Sequence, residues 1–176
     1  IDSANPAVLV VINALLANGH ASFPDAVVER HADFVLLAGA NTIGQGADRQ
    51  YVGRQQIDAA TLDRFVYLDW QYDPAIEAAA AGVPLSAVHG AKAPKKYRFL
   101  DDSGAEDRAA EWVAKVVKVR GIVDSFGKSV RFVVSPRASI NGTALLRAGF
   151  KLDDVAELCL WKGLDSDTRV KIEAKL

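Results

Sequence analysis

Apolar residues recur along this chain in two rhythms, and the change from one to the other falls near residue 72. Ser3 to Asn5 offer caps to a helix whose first position, Pro6, needs no amide donor. That helix runs through AVLVVINALLA to a stop at Asn18-Gly19. It is apolar on nearly every side, which predicts burial between layers. Residues 20–30 read as a turn and an edge segment. Asp33 to Ala40, DFVLLAGA, and Phe65 to Trp70 are short apolar runs with the character of central parallel strands. A Gly-rich polar loop and a short helix around Gln56 to Asp63 lie between them. Such alternation predicts an α/β layer.

From Asp73 the period is helical. Asp73-Pro74 opens PAIEAAAA, which Gly82 closes. Residues 83–105 hold Pro84, Pro94, several glycines and mixed charges, and read as a loop or small hairpin inserted between helices. Glu106 to about Phe126 is a long amphipathic helix, with Trp112, Val113, Val116, Val117 and Ile122 at helical spacing. Short helices follow from Pro136, Leu152 and Asp165. The expected organisation is an α/β portion over 1–72 and a mainly helical domain over 73–176, the latter carrying an inserted loop at about 83–105. No internal repeat or low-complexity segment interrupts it.

The composition fits a folded chain with a core. Of 176 residues, 50% are apolar and 24% charged. A formal net charge of −1 implies no general attraction to nucleic acid or to acidic membranes. The single cysteine, Cys159, lies in the apolar run AELCLW, cannot form an internal disulfide, and reads as a core thiol. A reducing, cytoplasmic setting is the expectation. No apolar stretch reaches membrane-spanning length, and the first residues lack a secretory signature. The chain begins in what reads as the middle of a structural unit, so a fragment is expected.

Chemistry concentrates at a few positions. Asn41 stands at the C-terminal end of DFVLLAGA, the edge at which open α/β sheets hold ligands. Its amide can donate to a phosphate oxygen and accept from a water, where a carboxylate would repel the phosphate. Asn41-Thr42 can equally well do no more than end the run and turn the chain. Arg64, just before the second run, can neutralise charge on a transferring phosphoryl group across a subunit boundary. A surface pair with Asp63 is the plainer reading, and Arg49 and Arg54 compete for the same task. In Ser135-Pro136-Arg137, Ser caps, Pro fills the first helical position and Arg follows in the first turn. A cation near a helix N-terminus is unfavourable unless an anion lies in front, where the backbone amides also point. The alternative is a solvated Arg whose stem covers apolar surface.

Other signals are weaker. Gly127-Lys128-Ser129 imitates the end of a phosphate loop, but five residues rather than four separate Gly121 from Gly127, and a helix precedes it while strand-like VRFVV comes after it. Gly44-Gln45-Gly46 signals a flexible loop rather than a dinucleotide site. The cluster Lys92, Lys95, Lys96 and Arg98, interleaved with Tyr97 and Phe99, is offset by Asp101, Asp102, Glu106 and Asp107, so nucleic acid is not an expected partner. His20, His31 and His89 are scattered, which leaves no case for a zinc site.

In order, these motifs resemble the second half of an AAA+ ATPase of the MoxR-like, dynein-related group. Asn41 in ANT resembles sensor 1, Arg64 in ATLDRF the arginine finger, and Arg137 in SPRAS sensor 2 on the helical lid. The stretch ANTIGQG through YVGRQQIDAATLDRF is similar to the ATPase subunit of cobaltochelatase and its phage-type relatives. The opening IDSANP resembles the residues just after the family's Walker B Asp-Glu pair. The resemblance implies an α/β fold: the C-terminal part of a parallel-sheet core, then a mainly helical lid. It implies an ATP-binding and ATP-hydrolysing remodelling ATPase using ATP and Mg2+, assembled as a homo-oligomer, a hexameric ring by analogy, on an unknown protein client. Asn41 and Arg64 would be catalytic and Arg137 would contact the nucleotide. The phosphate loop and the Walker B carboxylates are missing from the chain, so the piece alone is expected to be inactive. The other class of function open to it is a non-catalytic interaction module derived from such an ATPase.

Overall fold

The computed structural model describes residues 1–89 and 105–176. Two compact units divide the chain, Ile1–Asp69 and Trp70–Leu176, against an expected boundary after residue 72.

In the first unit, α1 (Pro6–Asn18) starts at Asn5, whose side chain accepts from the Ala7 amide at 2.9 Å. Leu9 is buried, but Val8, Val10 and Val11 are exposed, contrary to the burial that the all-round apolar pattern predicts. The reason is a shortage of cover. The unit's other regular elements are β1 (His20–Ser22), β2 (Val27–Glu29) and the four-residue α2 (Ala59–Leu62). These cannot enclose a helix of 13 residues. The segment 20–30 is an antiparallel hairpin pairing His20 with Glu29 and Ser22 with Val27.

Neither run expected as a central strand becomes one. Residues 34–40 and 66–70 are not assigned as strands, and Val35, Leu37, Val66 and Leu68 are exposed. A parallel strand exists only through a neighbour that completes its N–H and C=O ladder. Among the described residues the named strands are β1 and β2 alone. The Gly-rich loop between these runs is packed instead of loose: a Cβ on Gly44, at φ 72°, would fall 2.9 Å from a Leu62 methyl and 3.0 Å from Ile57 Cβ. The Ile57 amide donates to the Gly44 carbonyl at 2.8 Å, so the loop is held closed.

The second unit is helical, and its local signals are strong. α3 (Pro74–Ala81) coincides with PAIEAAAA. Asp73 accepts from the amides of Ala75 and Ile76, and Gly82 ends the helix in the left-handed region. The Arg147 guanidinium then donates to the carbonyls of Ala81 and Gly82, satisfying that end of the helix. α4 (Leu85–Val88) occupies part of the segment expected as a loop; the basic cluster of residues 92–98 lies outside the described residues. α5 (Ala105–Ser125) buries Trp112, Val113, Val116, Val119 and Val123, while Val117 and Ile122 only flank that stripe.

Gly127–Ser129 form one 3-10 turn, and the strand-like run after it is not assigned as a strand, although Val130 and Val134 are buried. α6 (Pro136–Arg147) lies against α5 so closely that a Cβ on Gly142 would fall 2.0 Å from Trp112 Nε1. That nitrogen donates to the Ala138 carbonyl at 3.0 Å. α7 (Leu152–Val155) continues as a wider π-type turn through Ala156–Trp161, and α8 (Ser166–Glu173) starts from its cap Asp165. Cys159 is half-buried at the edge of this core. Burial raises its thiol pKa, against a smaller lowering by Lys162. Among the described residues no helix is long and apolar enough to cross a membrane.

Candidate functional site

Asn41 is exposed at the end of the 34–40 run, and its backbone is tightly held. The holding group is Asp2, only 3% exposed. One of its carboxylate oxygens, Oδ2, accepts from the Asn41 amide at 2.9 Å, the Thr42 amide at 3.0 Å and the Thr42 hydroxyl at 3.1 Å. The other, Oδ1, faces Arg54 Nε at 3.9 Å. The Asp2 carbonyl accepts from the Gln55 amide at 2.8 Å, and the amino nitrogen of Ile1 donates to the Gly39 carbonyl at 2.6 Å. Burial pushes the Asp2 carboxyl up, but the two amides, the hydroxyl and Arg54 outweigh it and hold the group below its ordinary value.

A second polar chain fixes the approach to Arg64. Asn13 on α1 donates to the fully buried Thr61 hydroxyl at 2.7 Å, and that hydroxyl donates to Asp58 at 2.6 Å. Asp58 also caps α2 by accepting from the Thr61 amide at 2.9 Å, and its pKa is lowered chiefly by the Thr61 hydroxyl. Arg64 comes just after α2, is exposed, and donates from Nη1 to the Ala60 carbonyl of its own helix. The surface pair with Asp63 does not form. Arg54 is engaged near Asp2, while Arg49 is exposed. Beside this segment lies a shallow depression of about 620 Å³ bordered by Gly44, Gln45, Gln56, Ile57, Asp58 and Leu62.

Arg137 belongs to the second unit, in the first turn of α6, and is exposed. Among the described residues it makes no hydrogen bond or ion pair, which leaves its charge unopposed at the positive end of the helix. Ser135 occupies the cap position but makes no capping side-chain bond, so the first amides of α6 are not closed off by the hydroxyl that the sequence offers. The first unit thus holds Asn41 and Arg64, and the second holds Arg137.

Two groups that carry structure at these sites are silent in the sequence. Nothing near Asp2 in the sequence marks it, because the turn it holds lies 39 and 40 positions away. Glu77 reads as a polar position on α3, yet it is 2% exposed. Arg120 grips it through two bonds of 2.8 and 2.7 Å, and the Ser139 hydroxyl adds one at 2.6 Å. Arg120 Nε donates to the Val134 carbonyl at 3.0 Å, and the guanidinium lies 4.9 Å from the centre of the Tyr72 ring. Burial raises the Glu77 carboxyl, but Arg120 and Ser139 bring it below its ordinary value. The one sequence hint is a lone acid among alanines.

Among the described residues no group of three or more His, Cys, Asp or Glu is arranged to hold a metal ion. In comparisons with protein-family models, curated proteins and solved structures, nothing matches this chain.

Proposed function

We propose that the chain is part of an ATP-binding and ATP-hydrolysing AAA+ remodelling ATPase of the MoxR-like kind, and that it is inactive when isolated. The observation that carries this reading is Asn41: an exposed neutral amide at the end of an apolar extended run, on a turn clamped by a buried carboxylate. A preorganised amide there orients an attacking water beside a phosphoryl group at little reorganisation cost. Arg137, exposed and unpaired among the described residues at the start of α6, contacts the γ-phosphate. Arg64 serves the ATP of a neighbouring copy in a ring, six by analogy, after leaving the Ala60 carbonyl. Residues 1–72 are then the C-terminal portion of the α/β core and 73–176 the lid, working in the cytoplasm on a protein client with Mg2+-bound ATP.

The coding sequence upstream of Ile1 tests this reading first. A GxxxxGK[ST] loop and an Asp-Glu pair directly before Ile1 are expected; without them the ATPase reading fails. In the longer protein, Asn41→Ala should lower ATP turnover by roughly a hundredfold. The 176-residue chain itself should show no turnover above background.

A second reading, a non-catalytic interaction module, is favoured by the exposed apolar residues of the first unit and by Arg64 bonding to its own helix. Intact upstream motifs with turnover exclude it.

A further inference from the structure

The strongest uncommitted feature is the carboxylate beneath Asn41. We propose that Asp2 is the positioning residue of the candidate site: it fixes the Asn41–Thr42 turn through one carboxylate oxygen while Arg54 faces the other, so that Asn41 is held in one orientation with its side chain in solvent. In what Asn41 then contacts, the proposal rests on the ATPase reading; in how the turn is held, it does not.

The geometry has three parts. Asp2 Oδ2 collects both successive amides of the turn and the Thr42 hydroxyl within 3.1 Å, which fixes the peptide planes on both sides of Asn41 Cα. Three donors converging on one oxygen need a full negative charge there, and hydrogen bonds to an ionised acceptor are the strong ones. The charge is offset against burial: Asp2 is buried, and besides the three donors Arg54 Nε, buried without a hydrogen-bond partner, faces Oδ1 at 3.9 Å. The Gln55 amide, bound to the Asp2 carbonyl, ties the Arg54 segment to the same residue. One aspartate therefore joins residues 41–42 and 54–55.

A buried acid that served stability alone could be satisfied by any donors. Here all its short hydrogen bonds go to the residue that carries the candidate chemistry and to its successor. Asp2 touches no reacting group in this arrangement and acts only through Asn41. Substitution by Asn keeps the shape and one acceptor oxygen but loses the charge; substitution by Ala loses both.

The test uses the 15N-labelled 176-residue chain, with hydrogen exchange and ATP titration monitored by NMR. In Asp2→Ala the Asn41 and Thr42 amides should exchange about tenfold faster or more, while those of Ile57 and Thr61 in the same unit hold their rates. Asp2→Asn should fall between Ala and wild type. If Asp2→Ala unfolds the first unit, Asp2→Asn decides alone: wild-type exchange and wild-type shifts at Asn41 and Thr42 overturn the proposal. In the ATP arm, millimolar ATP should shift the Asn41 side-chain amide and the Arg137 side chain of the wild type. Asp2→Asn should diminish the shift at Asn41 and leave that at Arg137. An equal Asn41 response in both proteins overturns the positioning role. No wild-type response to ATP is compatible with a chain that lacks the phosphate loop and leaves the ATPase reading to the upstream sequence, while the exchange arm still decides whether Asp2 holds the turn.

Discussion

In the second unit Trp112, Val116 and Val119 have no exposed surface, whereas in the first Leu37 is 87% and Val66 91% exposed. The two stretches of sequence are comparably apolar, so hydrophobicity does not separate them. Closure does. A helix satisfies its own backbone and asks its neighbours only for side-chain cover, which α3, α5, α6 and α7 give one another. An extended run needs another strand's N–H and C=O groups before its side chains can be layered, and residues 34–40 and 66–70 do not form strands. The first unit is held by polar clamps instead: Asp2 on the Asn41 turn, and Asn13 through Thr61 to Asp58. These clamps converge on the segments that carry Asn41 and Arg64.

The largest expected effect lies in the second unit. Glu77→Ala strands the Arg120 charge in the core and should destabilise that unit by about 3–5 kcal/mol, read from urea denaturation monitored by Trp112 fluorescence. A loss under 1 kcal/mol would mean that water reaches Arg120 and that the unit is looser than its burial indicates. Gly142→Ala, which drives a methyl into the Trp112 ring, should cost about 1–3 kcal/mol in the same assay.

Acid should separate the two units by their clamps. Both Asp2 and Glu77 have carboxyls held below their ordinary values. Each therefore contributes stability that is complete above the unfolded-state value, about pH 4, and is lost as pH falls through the lower folded value. Amide signals of Asn41 and Val116, tracked from pH 6 to pH 2, should both lose protection only below about pH 4. In Asp2→Asn the acid sensitivity of the Asn41 turn should vanish while that of the second unit persists. The smallest effect belongs to the uncovered runs: Val66→Ser should change stability within about 0.5 kcal/mol, against roughly 2 kcal/mol for Val116→Ala. Comparable losses at the two valines would erase the contrast.

The same physics decides how much of the molecule is legible in its sequence. α3 can be read residue by residue because its cap, its proline and its terminal glycine are adjacent to it; the starts of α6 and α8 are readable for like reasons. The apolar runs around residues 37 and 67 have the composition of strands, but pairing is not written in the run itself. The tightness of the Gly44 turn is hidden because Leu62 and Ile57, which press on it, are distant in sequence. Asn41, Arg64 and Arg137 stand out through position relative to elements. Asp2 and Glu77 do not, since their partners lie tens of residues away.

ATP turnover by the longer protein that the proposal requires, measured side by side for wild type and Asn41→Ala, tests the central claim most directly. The account expects hydrolysis in the wild type and a loss of roughly a hundredfold in the variant, with the fold retained. Equal turnover in the two proteins, or none in the wild type, contradicts it.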